Sequence, residues 1–302
     1  MILRTRLLFL RVYSRLTLFS FCLVLAMASC PLRASGQEPP YFVTYSHHLE
    51  EPGNLEIEFN PVFATQRNGN NFLAGITEFE YGVKAWWTSE LYIDAQSTFG
   101  DSAVFTGFRW ESRIRPLMHE HWINPLLYLE YENLNEADKA MIEVVGFDSE
   151  ADHAPSNSVT RQTHVRELEG KLILSSDVKG WNISENFIAE RNLGHDPYEF
   201  GYAIGASRPL TLAVSARPCG FCTENLLVGA EFYGGLGTTW KATTSGTSHY
   251  AAPILAWQLP NGASFHFSPG FGLNGNSHRY VLRWGISYEI PSFGSRLRSV
   301  FQ

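Results

Sequence analysis

Several side chains in this 302-residue sequence have the types and spacings that do chemistry. His266 and Ser268 stand two apart, which in an extended strand puts both on one face, where an imidazole can take a proton from the hydroxyl and make a nucleophile. Cys219-Gly220-Phe221-Cys222 has the spacing of a redox pair. Redox chemistry needs a thiolate at a helix N-terminus, and no strand-to-helix context is evident. A local disulfide between Cys219 and Cys222 is the expectation in an oxidising compartment. His47-His48 and His119-Glu120-His121 offer metal donors. Two or three adjacent ligands do not close a four-ligand site, so no metal is expected, and no cofactor either.

The largest set of candidates is ionic. Glu56, Glu58, Glu78, Glu80, Glu90, Asp94, Glu111, Glu130, Glu132, Glu167, Glu169, Glu190, Glu199, Glu231 and Glu289 recur within short stretches that also carry apolar residues. Lys84, Arg109, Arg113, Arg115, Lys171, Arg279 and Arg283 are the cations available to oppose them. Enclosed around water, such a surplus of carboxylates would favour cations or polar neutral solutes. Packed in a narrow enclosure, the same groups would be a hydrogen-bonded filling, and the sequence leaves both open. For Arg109, Glu111, Arg113 and Arg115 on one stretch, a salt-bridge lattice bracing a wall is favoured over a transverse field at a constriction.

Elements with two unlike faces must position these groups. In the last such stretch Tyr280, Leu282, Trp284, Ile286 and Tyr288 share one face while Arg279, Val281, Arg283, Ser287 and Glu289 share the other, the period of a β-strand. Trp87, Leu91 and Ile93 oppose Glu90, Tyr92 and Asp94 in the same way, and Leu168, Leu172 and Leu174 oppose Glu167, Glu169 and Lys171. Counting such stretches gives about 12 strands, near 54–65, 71–85, 86–98, 102–116, 121–132, 163–176, 179–192, 196–208, 223–235, 248–259, 262–273 and 277–290. Short turn-like connections such as Asn68-Gly69-Asn70 and Pro260-Asn261-Gly262 make neighbours antiparallel. One long interruption, 133–162, follows the fifth strand and is expected outside the cell.

The beginning of the chain sets the compartment. Arg4, Arg6, Arg11 and Arg15 precede the apolar run Leu16 to Ala28, so residues 1–36 read as a cleaved signal peptide. Ala28-Ser29-Cys30 resembles a lipobox with Met27 out of place, and lipidation at Cys30 is disfavoured. The leader carries five of the 23 Lys plus Arg and none of the 30 acids, so cleavage takes the net charge from −7 to −12. An acidic chain without a basic stripe argues against nucleic acid as a partner. Residues 37–53 are Pro-rich without alternation and read as a periplasmic lead-in. Residues 54–290 read as the barrel and 291–302 as a C-terminal extension.

A soluble sandwich alternates too, so the choice of a membrane barrel rests on composition and placement. Aromatics make up 14% and charged residues only 18%, against roughly 25% charged in a soluble domain. Phe72, Trp86, Trp87, Trp122, Trp181, Tyr198, Tyr250 and Tyr288 lie near strand ends, as interfacial girdles would. An even strand count closes the sheet and leaves no edge in lipid. The expected fold is therefore all-β, an antiparallel transmembrane β-barrel of the cell outer membrane.

Glu78-Phe79-Glu80-Tyr81-Gly82-Val83, Gly229-Ala230-Glu231-Phe232-Tyr233-Gly234 and Arg283-Trp284-Gly285-Ile286-Ser287-Tyr288-Glu289 resemble repeated elements of uncharacterised bacterial outer-membrane barrels of the porin or transporter type. That resemblance implies a passive pore or transporter-like channel. Its surroundings would be outer-membrane lipid, its solutes small cations or polar molecules, and its handlers the periplasmic chaperones and barrel-assembly machinery. The alternatives are a structural or adhesive barrel and a lipid hydrolase, since His266 and Ser268 resemble the catalytic strand of outer-membrane phospholipase A and the lipid A deacylase. Those families place an orienting acid or amide about a dozen residues on, where this chain has Tyr280.

Overall fold

Side chains that alternate between oily and ionised need a sheet with two unlike environments, and a closed barrel supplies them. The computed structural model describes residues 39–194, 197–213 and 219–300, so the expected leader and Cys30 lie outside the described residues. Twelve antiparallel strands run in sequence order: β1 (Leu55–Ala64), β2 (Phe72–Lys84), β3 (Trp87–Thr98), β4 (Ala103–Ile114), β5 (Asn124–Asn135), β6 (His164–Val178), β7 (Trp181–Asn192), β8 (Glu199–Pro209), β9 (Leu226–Thr238), β10 (His249–Gln258), β11 (Ala263–Gly272) and β12 (Tyr280–Ile290). Each pairs with its neighbours, and β12 pairs with β1 to close the ring. The strand count and most bounds agree with the alternation; β5 and β9 each start and end three residues later than expected.

The faces fall as the alternation requires. Phe108, Trp110, Ile114, Leu127, Leu129, Leu168, Leu172 and Phe187 lie exposed on the outer surface. Their alternates Arg109, Glu111, Arg113, Glu130, Glu169 and Lys171 are buried inside. Strands of 10 to 15 residues are long enough for a tilted crossing, which needs about 9–11. No helix among the described residues is long and apolar enough to span a membrane. In β4 the backbone bulges opposite Asp94 and Ala95. Gly107 takes φ of +153° there, and a Cβ would stand 2.1 Å from the Asn133 carbonyl oxygen.

Two segments expected outside the barrel enter it. The lead-in reaches the inner wall: the Phe42, Val43 and Thr44 N–H groups donate to the Glu231 carboxylate on β9, and Tyr45 exchanges hydrogen bonds with Asn186 on β7. The β5–β6 connection, residues 136–163, begins at the loop end as its parity requires but folds back inward. Ala140, Met141, Ile142 and Val144 join Val43 and the wall residues Val62, Phe72, Ile76, Tyr233, Tyr250 and Val281 in one buried apolar cluster. An uncompensated apolar wall inside the barrel would be costly to wet, and the loop covers it.

That cluster corrects two of the proposed girdle aromatics. Phe72 and Tyr250 share the inner face of their strands and are fully buried, whereas Trp86, Trp122, Trp181 and Tyr198 are exposed. The interior thus carries an apolar cluster, mainly on β1, β2, β9, β10 and β12, alongside ionised groups that are densest on β3 to β6. Past β12, Phe293–Val300 forms a short helix, α2; α1 is a single turn at Asn157–Thr160 inside the loop. The Gly294 N–H of α2 donates to the Gly53 carbonyl, tying the extension to the lead-in.

Candidate functional site

Register turns the ionised inner face into a continuous track. Glu289 pairs directly with Glu56, and then Glu80, Glu90, Glu111, Glu130, Glu169, Glu190 and Glu199 follow, each opposite the last on the next strand. Nine glutamates on nine adjacent strands trace a row perpendicular to tilted strands, so the row climbs as it turns. It starts beside the end of β12 and reaches the loop end at the first residue of β8. Like charges directly opposite one another destabilise a sheet, and compensation comes from rows on either side.

On one side Arg113, Tyr128 and Lys171 are in register. Arg113 bridges Glu80 at 2.6 Å, Glu111 at 3.0 Å and also Glu90, and Lys171 meets Glu169 at 2.9 Å. The Tyr92 hydroxyl, on the other side, lies 2.6 Å from both Glu90 and Glu111. Beside it Arg109 binds Asp94 at 2.8 Å and Glu132 at 3.5 Å. The basic stretch on β4 therefore braces the wall, and it also binds the loop: Arg109 reaches Asp138 at 3.0 Å and Glu143 at 3.8 Å. Glu143 takes a further contact from Lys171 at 3.2 Å, and Arg283 donates to the Met141 carbonyl at 2.5 Å.

Small inner-face residues make room for both inserts. A Cβ on Gly201 of β8 would lie 2.5 Å from the Val144 carbonyl oxygen, and one on Gly205 would lie 2.6 Å from the Tyr41 ring. Between loop and wall remains a cavity of about 240 Å³, lined by Arg109, Glu132, Asp138, Glu143, Glu190 and His278 among others.

The remaining candidates separate. Glu58, Glu78 and Glu167 occupy the next row of the inner wall, and Glu231 caps the lead-in. Arg115 sits at the terminal rim, 3.9 Å from Glu120. Cys219 and Cys222 are joined as a disulfide. His266 and Ser268 share the inner face, yet the His266 Nε2 and the Ser268 hydroxyl make no hydrogen bond to each other or to any described residue. Tyr280, at the position of the orienting group, is half-exposed on the outer face. What sequence reasoning missed is the inward loop. Its signal was present in Ala140-Met141-Ile142-Glu143-Val144-Val145, an apolar run too long for a solvated loop.

No family model matches the chain, and no curated protein matches it. Among solved structures it is similar to an outer membrane channel from Pseudomonas putida F1, with a TM-score of 0.50 at 10% identity over 84% of this chain and 100% of that one. The KdgM porin gives 0.41 at 8% identity over 77% of this chain and 98% of its own. LpxR from Salmonella typhimurium gives 0.42 at 10% identity over 77% and 99%. The likeness is one of fold: the chain has the architecture of outer-membrane β-barrels.

Proposed function

We propose that this chain is a gated outer-membrane channel that favours cations, with residues 136–163 as its gate and the lead-in as a second obstruction. One observation carries the reading: beside its apolar contacts, the loop is held in the interior by ion pairs that water and ions can replace, Asp138 with Arg109 and Glu143 with Lys171. A displaced loop would leave a wall on which nine in-register glutamates outnumber their interleaved cations. A cation could follow that track from one mouth to the other, since charged rings and ladders set the sign of the ion admitted. The fold shared with the Pseudomonas putida F1 outer membrane channel is in keeping with this reading.

Planar-bilayer recording tests it. The purified protein is expected to open rarely, and an Asp138→Asn, Glu143→Gln variant to open far more often, with a reversal potential on the cation side in a salt gradient. Absence of conductance from both proteins in every salt removes the proposal.

A further inference from the structure

Donors from three separated stretches come together at the barrel end where β12 finishes. His47 and His48 lie on the lead-in, Glu120 on the β4–β5 turn and Asp177 near the end of β6. His47 Nε2 stands 3.0 Å from Glu120 Oε2 and 3.7 Å from Asp177 Oδ2, and His48 Nε2 stands 3.0 Å from the same Asp177 oxygen. Ligand atoms of His47, His48 and Asp177 all fall within 4.8 Å of one another. Zinc bonds of about 2.0–2.2 Å to nitrogen and oxygen give a tetrahedron whose edges are about 3.4 Å, and these separations straddle that value.

We propose that His47, His48 and Asp177 form a zinc site, with Glu120 beside His47 in reach of the fourth position, that staples the lead-in to the barrel wall. Partners around the donors are those a zinc site uses to aim its ligands. His47 Nδ1 lies 2.8 Å from the Ser175 hydroxyl, which engages that ring nitrogen and turns Nε2 toward the carboxylates. The Asn182 amide donates to Asp177 Oδ1 at 2.7 Å and leaves Oδ2 facing the histidines. His47 is wholly buried, whereas His48, Asp177 and Glu120 are open enough at the mouth for an ion to enter. Two imidazoles and two carboxylates suit zinc among the divalent ions, while magnesium and calcium prefer oxygen alone. A bound ion would join a segment seated in the interior to two wall elements, so its removal would loosen that segment.

The test is zinc titration of the folded, tag-free mature protein in detergent, read by competition with a chromophoric chelator. One zinc per chain is expected, with affinity at least about tenfold weaker in His48→Ala and in Asp177→Asn, and unchanged in a His119→Ala, His121→Ala control. Each variant is first checked for the heat-modifiable gel shift of a folded barrel. In the native protein, chelation is expected to speed amide exchange of residues 41–48. The proposal fails if no saturable zinc binding occurs, if His48→Ala and Asp177→Asn bind as the native chain does, or if the control alone loses the ion. None of these outcomes depends on conductance, so this proposal and the channel reading fail separately.

Discussion

At the scale of single residues, Glu231 is the clearest case of a side chain whose role is set by its partners. It is fully buried on β9, and its carboxylate accepts from three consecutive backbone N–H groups of the lead-in at 3.2, 2.9 and 2.7 Å. Such an anion nest replaces the solvation both sides lose on burial. Hydrogen bonds to a charged group contribute about 1.5–3 kcal/mol, so Glu231→Gln should cost the seated lead-in about 2 kcal/mol, roughly thirtyfold in its seated fraction. Hydrogen exchange at residues 42–44 measures this; unchanged protection would show the carboxylate to be incidental. Cys219 and Cys222 are simpler: they are joined as a disulfide three residues apart, before β9.

At the scale of elements, the inward loop is pinned at its rim by a pair of imidazoles. His153 Nδ1 and His278 Nε2 are 2.9 Å apart with their rings stacked, so one nitrogen donates and the other accepts. Burial, with His278 and Lys139 nearby, pushes His153 down from 6.5 to about 3, and burial also lowers His278. A base whose pKa is depressed on docking stabilises the docked form fully above its free pKa and loses that contribution as pH falls through the folded value. Loop docking should therefore be firm above pH 6.5 and weaken progressively toward about pH 3. Proteolysis within residues 136–163 at graded pH reads this, with Arg67, Glu150 and Lys139 the charged neighbours to be varied as controls. Cleavage that stays constant across the range, in protease-corrected rates, would rule the imidazole pair out as the pin.

At the scale of the whole molecule, the outer band and the inner track place opposite demands on the same strands. Leu129 is exposed while Glu130, one residue on, is wholly buried, so a single strand meets hydrocarbon and an ionic lattice within one peptide unit. Arginine on the lipid face near the midplane of a barrel costs about 2–4 kcal/mol, so Leu129→Arg should lower unfolding stability in lipid by that amount. The same change in a soluble sandwich surface would be nearly silent, which makes equilibrium unfolding in bilayers decisive. A negligible loss would deny that this face meets lipid.

The alternation of residue types determined the strand number, their antiparallel order and the face each side chain takes, because covalent geometry sends successive side chains to opposite sides of a strand. It therefore placed Glu111, Arg113 and Lys171 inside and Trp110 and Leu172 outside. It could not align the nine glutamates, since a slip of two residues keeps every face and breaks every pairing; turn lengths and the bulge at Gly107 set that register. Nor could it seat Met141 and Ile142 against Phe72 and Tyr250, or bring Asp177 to His47, because such contacts join residues far apart in the chain. Local pattern is written along the chain, whereas what fills the barrel depends on the width and tilt at which the sheet closes.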